Sequence, residues 1–113
     1  MHTGTVIRFK RYDAVCIGSL HGVSYVCRVI ATTEATWHRA DVPLSMVECA
    51  DAGLRPDVRI RCWPKATAGG VAIGRLSGVA TARVIAAVKR EAGMRAFEDG
   101  WSLGCGRVQK ARP

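Results

Sequence analysis

The chain has 113 residues, of which 49% are hydrophobic, and a mean hydropathy of +0.08; this excludes a disordered segment and suits one domain that buries roughly two-thirds of its unfolded surface without staples. Seventeen Lys and Arg against nine Asp and Glu give a formal charge of +8, a field that favours a polyanion or an acidic protein, although the same charge also serves plain solubility. The apolar runs fall far short of the ~20 residues of a bilayer span, and Arg8, Lys10 and Arg11 interrupt the place of a signal peptide's apolar region, so a soluble, cytoplasmic protein is expected.

In chain order, Thr5 to Lys10 alternates in the manner of a first strand. Residues 13–20 and 23–31 form a second and a third, joined through His21-Gly22 as a two-residue hairpin. Parity in the third strand sends Ser24, Val26, Arg28, Ile30 and Thr32 to one face. Residues 33–40 lack periodicity and gather Thr33, Trp37, His38 and Arg39 in a loop. Val42-Pro43-Leu44 suits an edge strand, and 49–57 a turn or a brief helical turn.

The clearest stretch runs from Pro56 to Gly93. Val58, Ile60 and Cys62 alternate with Asp57, Arg59, Arg61 and Trp63, the pattern of a strand with one buried face, and Pro64 is expected to stop it. Gly69 and Gly70 allow a turn, after which Val71 to Gly74 can pair back as a short strand. Ser77 offers its hydroxyl to the free amide of Val79 or Ala80 as a helix N-cap, and Gly93 is expected to close that helix. Ala80, Val84, Ala87, Val88 and Ala92 share its apolar stripe, leaving Arg83, Lys89, Arg90 and Glu91 towards water. Beyond it, Phe97, Trp101 and Leu103 precede a basic end at Arg107, Lys110 and Arg112 that should fray; residues 94–113 thus form a flexible or docking extension.

Five cysteines, at 16, 27, 49, 62 and 105, make an odd count without a CxxC pair, which argues against a zinc site or an oxidised scaffold. Cys16, Cys27 and Cys62 read as small buried apolar residues of strands, and Cys105 as exposed and oxidisable. No repeat or linker divides residues 1–113. Short strands, glycine turns and one late helix predict a mainly β fold, a small, partly open antiparallel barrel capped by a C-terminal helix.

Six segments in order resemble the MazF/PemK (Kid-like) toxin family over most of residues 3–93: GTVIRF; RYDAVCIGS, similar to an RPALVVS strand; YVCRVIATT, similar to a VxxPITS strand; DVPL; AGLRPDVRIRC; and IGRLS followed by the helix. The resemblance implies an SH3-like barrel, commonly a homodimer, that cuts single-stranded RNA without a metal or other cofactor and is neutralised by an acidic antitoxin. The ribose 2′-hydroxyl attacks the adjacent phosphorus, leaving a cyclic phosphate and a free 5′-hydroxyl.

By position, the family's arginine falls on Arg11 and its hydroxyl on Thr32, with Thr33 as the neighbouring option. A guanidinium fork can hold the scissile phosphate and stabilise developing charge, while a threonine hydroxyl can orient it. Lys10, Arg28, Trp37, His38, Arg39, Arg59 and Arg61 are the candidate RNA-binding residues, with Lys65 beside them on the rim. Where the family has Arg-Pro this chain has Arg11-Tyr12-Asp13, and the long loop between the first two strands is missing. Each residue has a plainer role: Arg11 as an exposed base, Thr32 as a strand end, Trp37 as a core cover, and Arg59 and Arg61 as a solvated face. Two other functions stand beside the nuclease: a non-catalytic barrel that binds nucleic acid or protein, and a CcdB-like gyrase-directed toxin for which Trp101 and the residues after Gly93 would matter most.

Overall fold

The computed structural model describes residues 2–34 and 36–107, the side chains of 101–107 excepted. Strands β1 (Thr5–Arg8), β2 (Asp13–Leu20), β3 (Val23–Ala31), β4 (Asp41–Pro43), β5 (Val58–Thr67) and β6 (Val71–Arg75) are joined by helix α1 (Met46–Asp51) and followed by helix α2 (Gly78–Arg107). All six strands lie in one antiparallel sheet ordered β4-β5-β3-β2-β1-β6. The sheet does not close on itself, and the fold is mainly β: a partly open barrel capped by the C-terminal helix.

The β2–β3 turn follows from its two residues. His21 and Gly22 both hold positive φ, 53° and 79°, the signature of the primed turn whose twist matches that of the flanking strands. Ser45 caps α1, its hydroxyl accepting from the Glu48 amide at 3.1 Å while the Glu48 carboxylate accepts from the Ser45 amide at 2.9 Å. Ser77 caps α2 by accepting from the Ala80 amide at 3.2 Å.

Two apolar clusters sit on opposite faces of the sheet. Val6, Val15, Cys27, Val58, Ile60 and Cys62 pack on Leu44, Cys49, Ala52 and Leu54 around α1 and on Ala80, Val84 and Ala87 of α2. Each fully buried valine or isoleucine here is worth about 1.5–3 kcal/mol of removed apolar surface. Ile7, Ala14, Cys16 and Val26 form the second cluster, with Phe9 and Tyr12 packed against it. The end of α1 meets β6 closely: a Cβ on Gly74 would fall on the Ala52 carbonyl oxygen, so the opening beside β6 is filled by backbone.

Several expectations are corrected by this architecture. Pro64 does not stop β5. Val26 pairs with Lys65 and Arg28 with Arg61, so Cys62, Trp63 and Pro64 stand opposite Cys27 in a bulge, where a missing donor disturbs no ladder. The strand from Val71 leaves its predecessor and pairs with β1 at the other end of the sheet. Strand β1 ends at Arg8 rather than Lys10, and α1 starts at Met46, before the turn expected from 49.

The helix does not end at Gly93. A glycine inside a helix costs only about 1 kcal/mol, and tertiary ion pairs bracket this one. Arg39 forks onto Glu91 at 2.8 and 3.0 Å and onto Glu98 at 2.7 and 2.8 Å, fastening the helix on both sides of the glycine. Glu91, expected towards water, is 2% exposed for the same reason. Ala92, expected on the apolar stripe, is exposed, and so is Phe97. The docking of Trp101 and Leu103, the exposure of Cys105 and the fraying of the basic end lie outside the described side chains and residues. Among the described residues, no helix is long and apolar enough to cross a membrane.

Candidate nucleic-acid interface

Strands β3 and β5 expose a cationic cleft of about 350 Å³ lined by Tyr12, Val26, Arg28, Ile30, His38, Arg61, Trp63, Lys65 and Arg95. Its construction follows from register. Asp41 of β4, Arg61 of β5 and Arg28 of β3 are successive cross-strand partners in one row, continued by Ala14 of β2. Two arginines directly opposite one another repel. Asp41 relieves one of them, accepting from Arg61 Nε at 2.8 Å and Arg61 Nη2 at 2.9 Å. Arg28 has a longer exposed contact with Glu34 at 3.4 Å and lies 5.2 Å from the centre of the Tyr12 ring. An anion in the cleft would supply the countercharge that Arg28 lacks on that row.

The bulge shapes the floor. Trp63 is brought into the cleft beside Lys65, and the guanidinium of Arg95 stacks 3.9 Å above its ring. Arg95 is held there by Glu91 one turn back, at 2.7 Å. Hydrogen bonds from Arg39 and Arg95 outweigh burial and pull the Glu91 carboxyl down to about 2. Helix α2 thus contributes a wall to a cleft whose floor is sheet. No carboxylate lines it, and Lys65 has no ion-pair partner among the described residues.

Beneath the rim lies a buried ionic network. Arg59 is 0% exposed; its Nε donates to Asp41 at 2.6 Å, its Nη1 to the Ala31 carbonyl at 2.9 Å and its Nη2 to the Thr36 carbonyl at 3.3 Å. The Trp37 ring covers it, 4.6 Å from the guanidinium carbon. Burial opposes ionisation of Asp41, but hydrogen bonds from Arg61, the His38 amide and Arg59 prevail and hold its carboxyl well below the usual carboxylate range. Arg59 is therefore not the solvated face or RNA rim expected of it. It ties the loop 31–41 to the sheet, with Trp37 as its lid.

The remaining candidates are dispersed. Arg28, His38 and Arg61 share the cleft described above. Lys10 and Arg11 are exposed and line a second cleft of about 310 Å³ with Arg8, Phe9, Tyr12, Asp13, Glu34 and Arg55. Thr32 is half-buried and its amide donates to the Asp57 carbonyl at 2.9 Å; Thr33 is exposed, and neither lines either cleft. Arg39 is committed to Glu91 and Glu98.

Tyr12, Trp63 and Arg95 escaped the sequence reading. Trp63 carried a signal, since it shares strand parity with Arg61 and Lys65; Arg95 carried none, because its position depends on the helix continuing past Gly93. The described cysteines offer no nucleophile: Cys16, Cys27, Cys49 and Cys62 are buried, and burial pushes the Cys27 and Cys62 thiols up to about 12. Among the described residues no group of three or more His, Cys, Asp or Glu stands where it could hold a metal ion. The arrangement can bind a polyanion through arginine forks and a lysine, beside a Trp63 ring that carries Arg95 and a Tyr12 ring that stacks on Phe9 and carries Arg28, so a planar group has only the ring surface these leave open. Neither a family model nor a curated protein matches the chain.

Proposed function

We infer that the protein is an endoribonuclease of the toxin type that takes single-stranded RNA on the β3–β5 face. The observation that carries this reading is the cleft with Arg28, Arg61, Lys65 and Arg95 around Tyr12 and Trp63 and, among the described residues, no carboxylate in its lining. Bases of a single strand present their faces to aromatic rings while its phosphates meet the cations, a combination that duplex nucleic acid does not allow. The resemblance of the six ordered segments to the MazF/PemK family supports the chemistry. The 2′-oxygen forms a bond to phosphorus, the bond from phosphorus to the 5′-oxygen breaks, and the 2′ proton leaves as the 5′-oxygen gains one. Arg28 holds the phosphate and Arg11, next to Tyr12, stabilises the charge that develops on it, without a metal; Thr32, which lines neither cleft, is given no part in the step. A homodimer and an acidic antitoxin seated on the same cationic face complete the proposal.

The test is cleavage of single-stranded RNA in excess chelator, with the products examined for cyclic phosphate and 5′-hydroxyl ends. Arg28→Ala and Arg11→Ala should each lower the rate by roughly a hundredfold or more, the scale of a lost transition-state donor. Wild-type rates in both variants would remove the site. A second reading, a non-catalytic RNA-binding barrel, is favoured by the separation of Arg11 and Thr32, which line no common cleft. RNA retained by the protein and recovered intact after long incubation would establish that reading instead.

A further inference from the structure

Among the described residues, Tyr12 alone lines both clefts. On one side of it lie Arg28, Lys65 and Arg95; on the other lie Lys10, Arg11 and Arg55. The acidic groups of the second cleft are already engaged. Asp13 accepts from Arg8 at 3.0 and 3.2 Å, and Glu34 accepts from the Ala31 amide at 3.3 Å and from Arg28 at 3.4 Å. Lys10, Arg11 and Arg55 have no ion-pair partner among the described residues. The ring between the two clefts is fixed in place, stacked on Phe9 at 5.0 Å and packed against the buried cluster of Ile7, Ala14, Cys16 and Val26.

We propose that the two clefts form one track for a single RNA strand, with Tyr12 as the stacking platform at the crossing and Arg55 as a phosphate clamp beyond it. The inference rests on the RNA reading and extends it from one cleft to a strand of several nucleotides. Each cleft has the volume of a small-ligand pocket, too small for more than a short piece of a strand. Val29, Leu54 and Val58 of the second cleft belong to the cluster on the other face of the sheet. The strand therefore bends round the end of the sheet at Tyr12, where Glu34 of the second cleft meets Arg28 of the first, and gains the second set of cations at the cost of that bend. Phosphates are then held on both sides of the crossing, where Arg11 lies.

Binding is measured by fluorescence anisotropy with a 2′-O-methyl dinucleotide and a 2′-O-methyl octanucleotide, neither of which can form the cyclic phosphate. The octanucleotide should bind at least roughly tenfold tighter. Arg55→Ala should abolish most of that advantage, leave the dinucleotide unaffected, and lower the slope of log affinity against log salt by about 0.7, the value for one phosphate contact on a single strand. Lys65→Ala should weaken both probes. Tyr12→Leu, which keeps an apolar side chain in the second cluster, should lose part of the octanucleotide advantage with the salt slope unchanged, because the phosphate contacts on both sides remain. Octanucleotide affinity and salt slope unaltered in Arg55→Ala would overturn the track. Tight, length-dependent binding of natural RNA that is never cut would remove the nuclease and leave the track standing; no binding of either probe would overturn both.

Discussion

Asp41→Asn tests whether the buried network organises the β4–β5 edge. Both Asp41 and Arg59 have side chains at 0% exposure, and Asp41 also receives two hydrogen bonds from Arg61. The amide keeps the shape and removes the charge, so the buried Arg59 cation loses the charge of Asp41. Removing one partner of such a pair costs about 3–5 kcal/mol. Arg59 retains the Ala31 and Thr36 carbonyls and the face of Trp37, which argues for the lower end, about 3 kcal/mol. Against a total stability of about 5–15 kcal/mol, this is a large fraction. Thermal unfolding should fall by about 12 °C and the urea midpoint should shift with an unchanged slope. A loss under about 1 kcal/mol would refute the reasoning, because a buried guanidinium cannot be so indifferent to its counterion.

The pH dependence gives the same test a second readout. The folded carboxyl of Asp41 ionises below its ordinary value of 3.8, so its contribution is present above that value and disappears as the pH falls through the depressed one. The Asn variant lacks that contribution, and the two stability curves should converge in acid. Glu48 and Glu91 behave likewise in both proteins, losing stabilisation as pH falls from 4.5 to about 2.

Two further substitutions address the frame. Gly74→Ala drives a methyl group into the Ala52 carbonyl and should destabilise by about 1–3 kcal/mol, measured by urea denaturation; an unchanged midpoint would show that α1 and β6 do not meet as described. Arg39→Ala removes both forks onto α2 and should accelerate amide exchange across 91–98 while β2 and β3 stay protected. Equal protection in both proteins would mean that the helix continues past Gly93 on its own propensity.

Much of the fold is legible in local patterns. Apolar runs at 13–20 and 23–31 and alternation in 58–62 mark three neighbouring strands, and the glycine after His21 marks the hairpin of the first two. Ser77 is recognisable as a cap because a hydroxyl before an apolar helix can only serve the first turn in a few ways. The α1 cap is also written in the sequence, as Ser45 followed three residues later by Glu48, but no long periodic segment follows to mark it as the start of a helix. The candidate site is legible in part: Arg28 and Arg61 follow from parity, and Lys65 from its place on the cationic rim beside them.

What the chain determines by itself is therefore the identity of the strands, the direction of their apolar faces and the excess of cationic side chains. These depend on residues close in sequence, whose periods of 2 and 3.6 record burial directly. Tertiary structure alone decided that Pro64 enters a bulge, that the strand after Gly70 crosses to β1, that Arg59 is buried on Asp41, and that Arg39 carries α2 past Gly93 so that Arg95 covers Trp63. Each of these outcomes joins residues distant along the chain. The energy of a buried ion pair or a cross-strand register belongs to both partners, and no local pattern in either segment records it.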